Sequence, residues 1–291
     1  MKSNSLTERL KNNQILLTPG IFDAFGAMMA ERAGFEALYL SGASIAYTKL
    51  GRPDIGLITM NELAYVVSNI RERSGLPLIV DADTGFGNAL NVQRTVKVLE
   101  RAGATAIQLE DQSLPKRCGH LEGKSLVSIG EMQGKIKAAV DVRESRQMLI
   151  IARTDAMGVA GFNAAIERAH AYIEAGADIL FIEALISCTQ MSDAIKQCGS
   201  KIPLLINMVE GGKTPMLSAK DLEKIGFSIV IFPGGLVRAL AYTAEKYFKS
   251  LHENGTTLDY QDNMYSFDQL NTLLGTNDIL RAAKKYDRFG D

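Results

Sequence analysis

At 291 residues the chain exceeds the commonest domain size but suits a single barrel, and a chain this long buries about three quarters of its unfolded surface, so its core needs no metal or disulfide staple. Its 32 basic and 33 acidic side chains leave a net charge of -1, which gives no electrostatic reason to expect nucleic acid or an anionic membrane as partner. The three cysteines (118, 188 and 198) are odd in number and lack C-x-x-C spacing, the polar start "MKSNSLTERLKNNQ" has no apolar signal segment, and no run approaches the ~18 apolar residues of a membrane span, so a reducing cytoplasm is expected.

Eight apolar runs follow in chain order: "QILLTPG", "RAGFEALYLSG", "LPLIVDAD", "RAGATAIQLED", "QMLIIARTD", "EAGADILFIEA", "IPLLINMVE" and "KIGFSIVIFPG". They centre near residues 17, 39, 79, 107, 150, 180, 205 and 230. Four share one grammar, in which a helix ends in a small residue and glycine before an apolar run begins. The runs are nearly continuous Val/Ile/Leu rather than alternating, as parallel strands covered on both faces require. Helical spacing fills the gaps, as in "ALNVQRTVKVLERAG" and "GFNAAIERAHAYIEAG". The competing doubly wound sheet would carry G-x-G-x-x-G after its first strand, which is absent. A single (β/α)8 barrel over residues 1–291 is therefore expected. Its helical tail, from about 245 to 291, reads "EKYFKSLHENG", "SFDQLNTLLG" and "DILRAAKKYDRFG".

Catalytic groups of such a barrel sit at the C-terminal ends of its strands. Those ends carry Ser41, Asp81, Asp83, Glu110, Asp111, Arg153, Asp155, Glu183, Asn207 and Glu210. A structural barrel would place turn formers there, so this ring of ionisable groups marks an active site. In "DADTGFG" two carboxylates stand two apart before a Gly-rich turn, which suits Mg2+ or Mn2+; alone, they could equally be solvated turn aspartates. Asp54 and Glu110 could hold the water ligands of such an ion. Arg153 suits bidentate binding of a substrate carboxylate, or an internal ion pair with a neighbouring acid. Asn207, Gly211 and Gly212 offer donors for a second carboxylate.

The loop after the fourth strand reads "LPKRCGHLEG" (114–123). It spans about a dozen residues with no apolar core of its own, a length at which lids occur. Lys116, Arg117 and His120 would favour a thiolate at Cys118, making it a candidate nucleophile or general acid/base. A redox-sensitive or inert loop thiol is the alternative. Cys188 and Cys198, on expected helices, read as packing residues.

"KRCGH" at 116–120, with "DADTGFG", "LED", "ARTD" and "NMVEGGKTP" in this order, resembles the isocitrate lyase/phosphoenolpyruvate mutase superfamily. The cysteine marks its carbon–carbon lyase branch and argues against phosphonate chemistry. The resemblance implies a (β/α)8 barrel whose last helix is exchanged between subunits of a homotetramer. It implies that Asp81 binds Mg2+, with Asp54, Asp83 and Glu110 holding its waters. Ser41, Gly42, Ala43, Gly119, Arg153, Asn207, Glu210 and Arg238 would bind the 2-hydroxy acid substrate. The implied catalytic set is Cys118 as proton donor to the carbanion, with Tyr39, His120 and Glu183; Tyr39 would take part in deprotonating the substrate hydroxyl. Where the methylisocitrate lyases read N-x-T-E-F-G-x-T-P, this chain has Val209 and Gly211, and Phe267 stands where they carry an arginine. The expected substrate is therefore a 2-alkylmalate-type dicarboxylate, first of all 2,3-dimethylmalate giving pyruvate and propionate. Methylisocitrate lyase, oxaloacetate hydrolase and phosphonate-forming mutase follow in that order, and a non-catalytic metabolite-binding barrel is the alternative from another class.

Overall fold

The computed structural model describes residues 5–12, 14–119 and 121–287. Eight strands form at the eight apolar runs: β1 (Leu16–Ile21), β2 (Leu38–Leu40), β3 (Leu78–Asp81), β4 (Ala106–Glu110), β5 (Leu149–Thr154), β6 (Ile179–Ile182), β7 (Leu204–Asn207) and β8 (Ile229–Phe232). Each pairs in parallel with the next, and β8 returns to β1, so the sheet closes into a barrel with surrounding helices. The expected (β/α)8 barrel is what the chain adopts.

The repeated small-residue–glycine grammar has a local cause. Helix Ala89–Ala102 starts at Asn88, whose side chain accepts hydrogen bonds from the amides of Leu90 and Asn91, while Asn91 Oδ1 accepts one from the Asn88 amide. It ends at Gly103, whose φ of 108° only glycine adopts at little cost, and the chain turns directly into β4.

Residues alternate across each strand, so one set points to the barrel axis and the other to the helices. Tyr39, Ile79, Ala106, Ile151, Phe181, Leu205 and Ile231 pack together as the barrel interior, joined by Leu6 from the first helix. The alternate residues Val80, Ile107 and Ile150 pack in one outer cluster, and Leu180, Ile206 and Val230 in another.

The chain divides into two compact units, one running to Val237 and the other beginning at Arg238. In the second, Tyr247 stacks edge-on against Phe248 and Tyr260, and helices Phe267–Leu274 and Thr276–Ala283 follow. The end of the expected tail helix, 288–290, lies outside the described residues.

Two expectations need correction. The segment between β4 and helix Ile129–Val142 is longer than a dozen residues, running over 111–128, and is tied at its base by an antiparallel bridge between Gln112 and Leu126. Cys198 is buried in the core, as expected, but Cys188 opens its helix in an exposed position and is not a core residue.

Candidate active site

The same parity that fills the barrel places its chemistry. Asp81 follows Ile79 on the inward side of β3, Gln108 and Glu110 follow Ala106 on β4, and Arg153 follows Ile151 on β5. Glu183 succeeds Phe181 after β6, and Asn207 succeeds Leu205 on β7. Register then sets Gln108 opposite Asp81 and Arg153 opposite Glu110. One strand period thus builds an apolar floor and an ionic rim above it.

Asp54, Asp81, Asp83 and Glu110 are all buried. Between them stands Lys116, 2 % exposed, with Nζ 2.5 Å from Asp54 Oδ1 and 2.6 Å from Asp83 Oδ1. Burial lowers the affinity of Lys116 for its proton, but Asp83, Glu110, Asp54 and Asp81 outweigh it and hold its pKa well above the usual value. Asp83, with a left-handed φ of 48° that a short polar side chain tolerates, is pushed up to about 6, chiefly by burial, with Lys116 opposing. Burial also raises Glu110 well above the ordinary range against the pull of Arg153 and Lys116. Its Oε1 is buried with no hydrogen-bond partner among the described residues.

More buried negative charge is gathered here than nearby cations offset. The donor set is all hard oxygen, which fits a divalent cation of the Mg2+ or Mn2+ type. No three acidic, histidine or cysteine side chains among the described residues form a ready cage. That suits an ion held through one or two carboxylates and retaining several waters. Gly42 lies directly over the pair: a β-carbon built there would be 3.6 Å from Asp83 Oδ1 and 3.7 Å from Asp81 Oδ2.

Arg153 makes a forked pair with Asp155, Nε to Oδ2 at 2.9 Å and Nη2 to Oδ1 at 3.1 Å. It also reaches Glu110 and Glu183, each at 3.4 Å, and lies over the Phe181 ring. The internal ion pair is therefore present. Burial works against ionising Asp155, but Arg153 and then Lys124 outweigh it and hold its pKa below the usual carboxylate value. Behind Asp155 stands Asp111, fully buried. Its Oδ1 accepts from the Asp155 amide, and its Oδ2 accepts from Thr154 Oγ1, Tyr172 Oη and Arg168 Nη1. Asp111 thus fixes the clamp that fixes Arg153.

The loop after β4 lies across this rim. Lys124 donates to the Gly119 carbonyl and to Asp155. Gly119 packs so tightly that an added β-carbon would stand 2.5 Å from Arg153 Nη2 and 2.6 Å from Glu183 Cγ. Cys118 is half-buried beside it. His120 lies outside the described residues.

Tyr39 sits below the acids. Its hydroxyl donates to Gln108 Oε1 at 3.1 Å, and Gln108 Nε2 donates to Asp81 Oδ1 at 3.2 Å. Burial, with Asp81 next, raises the Tyr39 pKa well above its usual value, so at neutral pH the phenol keeps its proton. Ser41 is buried, and its Oγ accepts from the Ser44 amide; Ala43 stands two residues on, beyond Gly42. Glu183 Oε2 accepts from Asn207 Nδ2 at 3.1 Å. Glu210 is exposed, near Gly235. Arg238 begins the second unit, on helix Gly235–Asn254.

The structure thus brings Asp54, Asp81, Asp83, Glu110, Gly42, Gly119, Arg153, Glu183 and Asn207 into one contiguous network. Sequence reasoning missed Gln108, Lys124, Arg168 and Tyr172. Of these only Gln108, a polar residue inside the apolar run "AIQLE", left a readable signal.

Residues 6–252 match the family described as phosphoenolpyruvate phosphomutase. The chain is 49% identical, over 97% of its length and 90% of the other, to a 2-methylisocitrate lyase from Aeropyrum pernix. It is 42% identical, over 97% and 96%, to a 2,3-dimethylmalate lyase from Eubacterium barkeri. Among solved structures, 2,3-dimethylmalate lyase superposes with a TM-score of 0.90 at 34% identity, covering 98% of this chain and 96% of that one. A phosphonopyruvate hydrolase in complex with oxalate and Mg++ superposes at 0.87 and 29%, covering 97% and 98%. The chain belongs to the phosphoenolpyruvate phosphomutase family, within the isocitrate lyase superfamily, and is an enzyme of its carbon–carbon lyase branch.

Proposed function

We propose that this enzyme is a Mg2+-dependent lyase that splits a 2-alkylmalate-type dicarboxylate, first of all 2,3-dimethylmalate, into pyruvate and propionate. The observation that carries the reading is the packing of Gly119 against Arg153 and Glu183. It sets the cysteine-bearing loop over the rim where a substrate carboxylate would meet Arg153.

In the proposed reaction Arg153, held by Asp155, orients the carboxylate of the 2-hydroxy acid half, with Ser41, Gly42 and Ala43 around it. Asn207 and the following glycines face the other carboxylate, and Glu210 completes the binding set. Glu183, rather than the buried phenol of Tyr39, takes the proton of the substrate hydroxyl. The electron pair of that O–H bond becomes the carbonyl of pyruvate as the C2–C3 bond breaks. The pair left on C3 delocalises into its carboxylate, and the Cys118 thiol protonates C3 to give propionate. His120 stands two residues from that thiol. Asp81, with Asp54, Asp83 and Glu110, would hold the cation, which when bound stabilises negative charge developing on substrate oxygen.

Electrostatics favours a dicarboxylate. At the rim the acids Asp54, Asp83, Glu110, Asp155 and Glu183 already pair with Lys116, Lys124 and Arg153. A third substrate carboxylate would add uncompensated charge in a buried site. The second reading, 2-methylisocitrate cleavage to pyruvate and succinate, is supported by the 49% identity to an enzyme of that name. Pyruvate release from both compounds, followed side by side with Mg2+ or EDTA, tests the proposal. Faster, EDTA-sensitive cleavage of 2,3-dimethylmalate supports it; faster cleavage of 2-methylisocitrate overturns the substrate choice, and no pyruvate from either overturns the lyase reaction proposed.

We also propose a homotetramer that exchanges its C-terminal helices. Helix Gly235–Asn254 buries only Val237 and leaves Leu236, Leu240, Tyr242 and Phe248 exposed. The cysteine pattern supports a cytoplasmic location, and among the described residues no helix is long and apolar enough to cross a membrane.

A further inference from the structure

Lys116 joins two things that the proposed reaction treats separately. Its ammonium bridges Asp54 and Asp83, two carboxylates of the proposed cation site, yet its backbone belongs to the loop that carries Cys118. That loop is cross-linked within itself. Arg117 donates its amide to Gln112 Oε1, Gln112 Nε2 donates to the Arg117 carbonyl, and the Arg117 guanidinium donates to the Glu122 carbonyl. A segment braced in this way moves as one piece. Among the described residues, its ion pairs to the barrel include Lys124 with Asp155, and Lys116 with Asp54 and Asp83.

An ammonium and a hydrated divalent cation compete for these carboxylate oxygens, since N–H groups and metal-held waters are both donors to them. Their charges also repel, and in a buried site that repulsion is little screened by salt. A cleft of about 310 Å3, lined by Leu57, Ile58, Met60, Phe86, Asp83 and Lys116, opens beside the pair and gives the ammonium room to withdraw.

We infer that Lys116 is a cationic latch: its pairing with Asp54 and Asp83 holds the Cys118 loop shut, and a divalent cation at that site weakens the latch. The inference rests on the cation-site reading above. Linkage makes the effect reciprocal, so the latch also weakens cation binding. The cation thereby loosens the lid, and a dianionic substrate, adding negative charge beneath Lys116 and Lys124, draws it shut again. Cation would bind before substrate.

The test uses the full chain in a Cys188→Ser background, because Cys188 is exposed and would react, whereas Cys198 is buried. Alkylation of Cys118 by an uncharged maleimide is followed with and without Mn2+, and Mn2+ affinity is measured by electron paramagnetic resonance for this protein, Lys116→Met and Asp81→Ala. Mn2+ should speed alkylation at least about fivefold, the low end of ordinary coupling. Lys116→Met should alkylate rapidly without Mn2+ and bind Mn2+ at least about fivefold tighter. Alkylation that Mn2+ slows or leaves unchanged, or unchanged affinity in Lys116→Met, overturns the latch. The alkylation arm keeps Lys116 in place, so it decides even if Lys116→Met does not fold. Asp81→Ala separates the two readings: undiminished Mn2+ binding there removes the cation site and the latch with it. Lost binding there, with both latch readouts flat, removes the latch alone.

Discussion

Gly119 and Arg153 touch across the barrel mouth, with no space for even a methyl group between the glycine and the guanidinium. The glycine belongs to a loop and the arginine to β5, so this contact registers the loop against the barrel. A loop held off by one side chain would leave Cys118 out of reach of a substrate seated on Arg153.

Gly119→Ala should therefore lower pyruvate release by about 100-fold, the scale of a misplacement near 1 Å. The loop contributes little to the core, so the melting temperature should stay close to wild type. Steady-state kinetics and a circular-dichroism melt check both parts.

Asp111 is the buried hub beneath Arg153, taking four hydrogen bonds. Asp111→Asn keeps the shape but leaves Arg168 facing a neutral group, and breaking a buried pair in this way costs about 3 kcal/mol. Urea unfolding should show that loss, together with reduced activity.

The pH dependence of stability follows from Asp155. Burial opposes its ionisation, but Arg153 and Lys124 hold its folded pKa below the unfolded value of 3.8. A carboxylate of this kind contributes stability that is complete above the unfolded value and is lost as the pH falls through the folded one. The stability difference between wild type and Asp155→Asn should stay constant between about pH 7 and 5 and shrink below about pH 4. Urea titrations across that range measure it.

Gln108 connects Tyr39 to Asp81 and so orients one carboxylate of the proposed cation site. Gln108→Leu should raise the Mg2+ concentration for half-maximal activity by about 10-fold or more, the usual cost of losing a group that orients a ligand. Tyr39→Phe, which removes only the far end of the chain, should retain measurable turnover.

The barrel was legible because its signal is local and repeated: a small residue and glycine, then an apolar run, in unit after unit. The acids of the rim were legible because strand ends in such a barrel normally carry turn formers. The partners of Lys116 were not, since Asp54 lies 62 residues away in sequence, and no local pattern announces a bridge between two loops. Asp111 read as one more rim acid, whereas Tyr172 and Arg168, on a helix one unit later, turn it into a support. Cys188 read as core because helix position alone says nothing about which turn is capped by solvent. The loop's pose, with Gly119 pressed on Arg153, is a tertiary fact that no residue pattern encodes.

The central claim is that Cys118 delivers the proton that completes carbon–carbon cleavage. Its most direct test is pyruvate release from 2,3-dimethylmalate at saturating Mg2+ by wild type and Cys118→Ala, with circular dichroism confirming the fold of each. Cleavage by wild type and its loss in Cys118→Ala is the result this account predicts. A Cys118→Ala enzyme that still cleaves at near wild-type rate would contradict it.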